Sequence, residues 1–409
     1  MTDPALGEHT TLPTPEPTDQ PMRALWAAIV GYAVDGFDML LLAVSLGTIT
    51  ASLKLNTGQA GSLASWTLFG AVLGGIAFGT LSDRLGRVRV LTWTILMFAV
   101  FTGLCALAQD YTQFAVLRFL AGVGLGGEFG IGMTIVAETW PAAKRARATS
   151  YVALGWQFGV LCASLSGIWL LPHLGWRGLF ALGVVPAVIA YVFRRRVGEP
   201  AMFVNSEHTS VPVRELWKDA TTSKNSLALI ILTSVQNFGY FGLMTWLPSY
   251  LAKHFHYSLT KSATWTAVTV LGMAVGIVVF GHVADRLGRR PALCAYQIGA
   301  AVSVIAYSQL TSSGSLLIGG AIMGFFVNGM LGGYGALLAE LYPTEARATA
   351  ENVLFNIGRG VGGFGPWLIG LLIAHYSFNS TIGFLGSIYV LALITTVFLI
   401  PERRGAALV

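Results

Sequence analysis

Charge is what this 409-residue chain has least of. Asp, Glu, Lys and Arg together make up 11% of it, against about 25% in ordinary soluble domains. With 54% hydrophobic residues, that scarcity excludes a water-soluble globular protein. Cysteine is scarce as well. Cys105, Cys162 and Cys294 are far apart and odd in number, which excludes a disulfide framework and argues against a metal site. No His and Cys share a metal-ligand spacing, and no Ser/His/Asp set or nucleotide loop occurs, so neither an enzyme nor a cofactor is expected. Residues 1–22 contain no Lys or Arg but five Pro and five Thr. A cleavable signal would begin with positive charge, so this stretch reads as a disordered tail and the first apolar run stays in place.

Apolar runs of about 20 residues, each enough to cross roughly 30 Å of hydrocarbon, recur along the rest of the chain. They are continuous rather than alternating, which points away from a membrane β-barrel. We place spans at about 24–49, 59–81, 89–108, 112–138, 147–171, 178–196, 225–252, 262–284, 291–310, 315–339, 351–374 and 381–400. Twelve spans put both termini on one side, and nineteen of the 25 Lys and Arg fall on that side. Both termini are therefore expected in the cytoplasm, with the chain multi-pass in the cell (inner or plasma) membrane. The same distribution answers the net charge of +6: the basic residues sit in short loops, so the lipid bilayer and not nucleic acid is the partner.

The chain repeats itself. "GTLSDRLGR" at 79–87 returns as "GHVADRLGR" at 281–289, and "ETWPAAKRA" at 138–146 returns as "ELYPTEARA" at 340–348, both at an offset of 202. Two matches at half the chain length mean a duplicated unit. The expected organisation is a tail (1–22), a six-helix bundle (23–196), a linker (197–224), a second six-helix bundle (225–402) and a short tail (403–409). Parallel six-span repeats with a site between them describe one large class of secondary transporters.

The loop after span 2 and its copy after span 8 resemble the signature of the major facilitator superfamily. With "DGFD" in span 1, "RFLAGVGLGGEFG" in span 4 and "ETWP" after it, the chain is similar to that superfamily's carboxylate:proton symporters, of the sialate/metabolite or aromatic-acid branch. The resemblance covers about residues 24–402. It implies an all-α membrane fold of two pseudo-repeats and alternating access. It also implies proton-coupled import of a small organic anion, by a monomer. An aromatic-acid-specific symporter, or a proton-independent facilitator or exporter of the same fold, is the alternative. Antiporters of the superfamily carry a Gly-Pro motif in span 5. Span 5 here has none, which favours symport.

Five ionisable residues lie inside spans, where each charge costs about 2.5–3.5 kcal/mol on insertion scales. Asp35 and Asp38 are one turn apart on a helical face, so they are expected to repel, and one to retain a proton near neutral pH. Arg118 and Glu128 of span 4 are their expected partners, Arg118 at the depth of Asp38. These four are the proton-coupling candidates. A permanent Arg–Asp lock is the plainer reading. "GVGLGG" at 122–127 mimics a dinucleotide fingerprint, but no strand precedes it and it lies within a span. Gly122, Gly126 and Gly130 recur every four residues, and helix packing is their role. Arg359 in span 11 is the candidate anchor for a carboxylate, with a snorkelling gate residue as the alternative. By the repeat, Asp35 maps onto Asn237 and Asp38 onto Tyr240. Neutral donors therefore line the second half, and Gln236, Asn237, Tyr240, Asn328, Tyr32 and Gln157 complete the candidate substrate site. Each is equally compatible with plain packing.

The paired loops read as a cytoplasmic gate. Gly79 and Gly86 permit close approach and a turn, and Asp83 can cap a facing helix or pair with a loop arginine, Arg84 or Arg87. Asp285, Arg286 and Arg289 are the copy. Glu138 with Arg145, and Glu340 with Arg347, are expected as further ion pairs.

Overall fold

An apolar run in lipid must satisfy its own backbone hydrogen bonds, so it folds as a helix. The computed structural model describes residues 17–18, 21–194, 197–206, 212–255 and 259–408, and helices fill the expected runs. We label them α1 (Pro21–Ser52), α2 (Thr57–Leu85), α3 (Arg87–Cys105), α4a (Tyr111–Leu125) and α4b (Glu128–Thr139), α5 (Arg145–Trp169), and α6a (Leu171–Leu182) and α6b (Val184–Arg194). The second half holds α7 (Ala220–His254), α8 (Leu259–Leu287), α9 (Arg289–Tyr307), α10a (Ser313–Gly329) and α10b (Leu331–Leu341), α11a (Arg347–Gly362) and α11b (Gly365–His375), and α12 (Phe378–Leu399). Among the described residues, nine of these stretches are long and apolar enough to cross a membrane. The other three are α6, α9 and α11. α6 and α11 are each broken near a glycine, and α9 carries Arg289 and Arg290 in its first turn.

The halves are built alike. α1 packs on α5 and α2 on α4, and the same pairings recur as α7 on α11 and α8 on α10. Between the halves, α2 meets α11 and α5 meets α8. Glycine makes these approaches possible: a Cβ on Gly159 would lie 1.8 Å from the Ala33 carbonyl oxygen, and one on Gly126 2.1 Å from that of Ala71. The outer flanks expose large apolar side chains such as Ile168, Ile318 and Phe398. That is a liability in water and ordinary in lipid.

Two expectations change. The tail is not wholly without structure, because Pro17–Thr18 pairs in parallel with Glu199–Pro200 and helix starts at Pro21. The linker also carries single helical turns at Ala201–Val204 and Pro212–Glu215. The remainder of the 1–22 tail, residues 195–196 at the expected end of span 6, and linker residues 207–211 lie outside the described residues. Gly86 and Gly288 end α2 and α8 at φ 115° and 113°, a region that favours glycine. Glu199 and Glu402 sit against these turns. Glu199 accepts from the N–H groups of Val88 and Arg89, and Glu402 from those of Arg289 and Arg290. Burial pushes the Glu199 carboxyl above the usual range, and its two backbone donors oppose that.

Gly159→Ala forces apart α1 and α5 and is expected to cost about 1–3 kcal/mol, read as a lower midpoint of thermal aggregation in detergent. Gly47→Ala, whose Cβ meets nothing within 4 Å, should leave that midpoint unchanged.

Candidate functional site

Each intramembrane aspartate has its own arginine. Asp38 of α1 is held in two-point fashion by Arg118 of α4a at 3.1 and 2.8 Å. Thr102 donates to the same carboxylate at 2.7 Å, and Arg118 Nε donates to Thr67 at 3.1 Å. All partners of this cluster belong to the first half. Asp35, one turn away, faces the other half instead and meets Arg359 of α11a at 3.2 and 3.3 Å. Each aspartate is thus engaged in a separate ion pair, one within the first half and one between the halves. Beside Asp35, Gly36 lets the α5 backbone close to where a Cβ would meet the Trp156 oxygen at 2.6 Å.

Arg359 is thus not the unpaired cation of the sequence reading. It lies 4.9 Å over the Trp156 ring and lines a cavity of about 20 Å³, room for about one water. Tyr32, Gln236, Asn237, Tyr240 and Asn328 line the same cavity, with Phe241, Leu331 and Phe355. Trp156 donates across the halves to the Tyr240 hydroxyl at 3.1 Å. Gln236 donates to Asn328 at 2.8 Å, leaving Gln236 Oε1 and Asn328 Nδ2 buried without a partner. Asn237 donates to the Thr233 carbonyl. Gln157 is buried beside Trp156 with both amide atoms unpaired, but the cavity lining does not include it. Glu128 lies where α4 breaks, accepting from Thr94 at 2.8 Å. A larger groove of about 420 Å³, lined by Leu104, Val116 and Leu117 among others, carries no ionisable group and is not the site.

The face carrying Pro21 and Ala406, called here the terminal face, is shut by two related clusters. Asp83 accepts from the N–H groups of Ala348 and Thr349 at 3.2 and 2.7 Å, capping α11a of the other half. It also pairs with Arg87 at 3.0 Å. Asp285 repeats this on Ala146 and Arg147 of α5, with Arg289 at 3.2 Å. Gly79 packs against Asn352 and Thr349. Arg84 and Arg286 are exposed and stand outside these clusters.

The glutamate pairs differ from expectation. Glu138 meets Arg347 at 2.7 Å rather than Arg145, and Glu340 meets Arg145 at 3.0 Å rather than Arg347. The cause is local. Arg145 Nε is bound to the Ala137 carbonyl and Arg347 Nε to that of Ala339, so each guanidinium is aimed away from its own loop and into the opposite half. Arg87 and Arg289 complete the crosswise pairs, reaching Glu138 at 3.1 Å and Glu340 at 2.7 Å.

Sequence reasoning missed Glu199, Glu402, Asn352, Asn356 and the threonines at Asp38 and Glu128. Glu199 and Glu402 are separated by 203 residues, one away from the repeat offset, so a search at 202 passes over them. Asn352 and Asn356 carried a signal in their i, i+4 spacing.

Two mirrored helical bundles, a charged cavity between them and a face closed by half-to-half ion pairs define a secondary transporter. The chain belongs to the Major Facilitator Superfamily, whose pattern matches residues 28–270 and 249–408. A Haemophilus influenzae protein named for metabolite transport is 56% identical over 94% of this chain and 97% of its own. The cis,cis-muconate transport protein of Acinetobacter baylyi is 32% identical, over 92% and 94%. Among solved structures, the proton:xylose symporter XylE bound to 6-bromo-6-deoxy-D-glucose superposes with a TM-score of 0.83 at 17% identity, covering 95% of this chain and 97% of that one. The fold is the major facilitator fold and the protein is a multi-pass membrane transporter, not an enzyme.

Glu138→Gln leaves Arg87 and Arg347 buried with less counter-charge, and breaking a buried pair costs about 3–5 kcal/mol. A cysteine at Ala346, fully buried in the closed face, should then react with maleimide at least about tenfold faster, a change equivalent to 1.4 kcal/mol.

Proposed function

We propose that this transporter imports a small organic acid together with a proton, and that Arg359 is the shared partner of Asp35 and of the substrate carboxylate. The observation that carries the reading is the Asp35–Arg359 pair, buried and bridging the halves, with Arg359 lining the cavity. A guanidinium binds one carboxylate in two-point fashion, so substrate and Asp35 compete for it. Proton binding to Asp35 releases Arg359, and the incoming carboxylate then replaces one anion with another. Leaving Asp35 ionised and unpaired beside a bound anion would be costly in so buried a place. Substrate and proton therefore load together, and a monoanion with one proton crosses without net charge.

Asp38 and Arg118 play a different part in this scheme. Their contact lies within one half, so rocking of the halves does not break it, and it holds α1 and α4a in register beside the moving pair. Asn328 Nδ2 and Gln236 Oε1 offer a donor and an acceptor to the far end of the substrate. The aromatic lining of Tyr32, Trp156, Phe241 and Phe355 favours a planar acid, which agrees with the name of the muconate relative. We assign the terminal face to the cytoplasm, on the Lys and Arg distribution, and the protein to the inner membrane as a monomer.

The test is uptake into proteoliposomes under an inward pH gradient, with a panel of carboxylates outside and a pH dye trapped inside. Arg359→Ala should lose uptake at least about 100-fold, as expected for truncating a buried charge-pair partner. Asp35→Asn should still exchange the acid but no longer acidify the lumen or concentrate the acid. Uptake without proton movement in the unaltered protein would make it a facilitator and overturn the reading.

A further inference from the structure

The break in α4 has an unusual closure. In an uninterrupted helix the N–H of Gly130 would donate to the carbonyl of Gly126. Here Gly130 N–H donates to Asn352 Oδ1 at 3.1 Å, and the Gly126 carbonyl accepts from Asn356 Nδ2 at 2.8 Å. The two asparagines are one turn apart on α11a, in the opposite half, and are 0% and 1% exposed. They also bond their own helix, Asn352 to the Ala348 carbonyl and Asn356 to that of Asn352, so both amides are fixed in orientation. The Gly130–Gly126 hydrogen bond missing from α4 is thus replaced by two bonds from a neighbour.

We propose that Asn352 and Asn356 are positioning residues that hold α4 broken only while the terminal face is closed. When α11a withdraws, Gly130 N–H and the Gly126 carbonyl lose their partners in a buried place, a state that buried backbone groups avoid. Re-forming their own bond satisfies both and straightens α4. Glu128 lies within the break, so the straightening moves its carboxylate relative to Thr94. The opening of the face is thereby transmitted to an acidic residue deep in the first half.

The pseudo-repeat provides a comparison inside the molecule. At the offset of 202, Asn352 and Asn356 correspond to Ser150 and Leu154, and Gly130 to Gly332. Ser150 donates to the Gly332 carbonyl at 3.0 Å, and Leu154 has no polar atom to add. Thr149 donates to the same carbonyl at 3.3 Å, so the second half has contacts to one side only of its α10 break where the first half has a two-sided clamp. The device belongs to the half that holds Glu128, Asp35 and Asp38.

The clamp itself does not depend on the cargo. Only its consequence for proton coupling rests on the function proposed above, so the test uses no substrate. Spin labels at Val116→Cys and Ala143→Cys, both exposed, report the distance from α4a to the turn after α4b, across the break, with the native cysteines replaced by serine. Labels at Leu85→Cys and Leu287→Cys report opening between the halves. Glu138→Gln with Glu340→Gln, which removes the crosswise ion pairs, provides the open state. The 85–287 distance should lengthen in that background, and the 116–143 distance should lengthen with it as α4 straightens. Asn352→Ala with Asn356→Ala should bring the 116–143 distance to the same long value. If the 116–143 distance stays constant while the 85–287 distance lengthens, α4 moves as a rigid rod and the proposal is wrong. That comparison needs only the first background, so it stands even where the asparagine variant does not fold.

Discussion

A charge buried in a membrane protein must be answered by another charge, and the structure depends on where those answers come from. Arginine is suited to the task because its guanidinium stays ionised and binds a carboxylate through two parallel bonds. Five buried arginines do most of the pairing here. Arg118 serves its own half. Arg359, Arg145, Arg347 and Arg87 reach across, whether to Asp35, to the two glutamates or to the Thr344 carbonyl. Contacts of the first kind keep a bundle rigid, while contacts of the second kind can exist in only one of its arrangements.

This division gives the molecule its two states. Breaking one crosswise pair strands a buried charge, so partial opening is penalised and the closed face behaves as a unit. The crosswise ion pairs of the closed face are polar, with Gly79 and Gly281 packed close to the opposite half beside them. Water admitted on opening can therefore solvate every partner. Apolar packing within each half has no such alternative, so in the proposed cycle the interiors of the bundles stay intact.

Much of this was legible in the sequence. The apolar runs foretold the helices, and the 202-residue offset foretold that the second half repeats the first. The depth argument brought Arg118 to Asp38, because antiparallel neighbours can be matched by counting residues from a common surface. Direction around a helix axis is harder to read. Asp35 and Asp38 share a face by spacing, yet Asp38 reaches an arginine of its own half and Asp35 an arginine of the opposite half. The Glu138 and Glu340 partners went astray for a related reason. A loop places Arg145 next to Glu138 in sequence, but a backbone hydrogen bond at Nε turns its charged end toward the other half. The breaks in α4, α6 and α11 follow from glycines that also served packing, so sequence alone did not distinguish a kink from a close contact.

Proton linkage to substrate binding is the measurement that bears most directly on the shared-arginine account. Titration calorimetry of a transported acid, repeated in buffers of different ionisation enthalpy, counts the protons taken up when the site fills. With Arg359 passing from Asp35 to the substrate, binding near neutral pH should take up close to one proton in the unaltered protein and none in Asp35→Asn. Binding with no proton uptake in the unaltered protein would mean that Asp35 and the substrate do not compete for Arg359, and the account would fail at its centre.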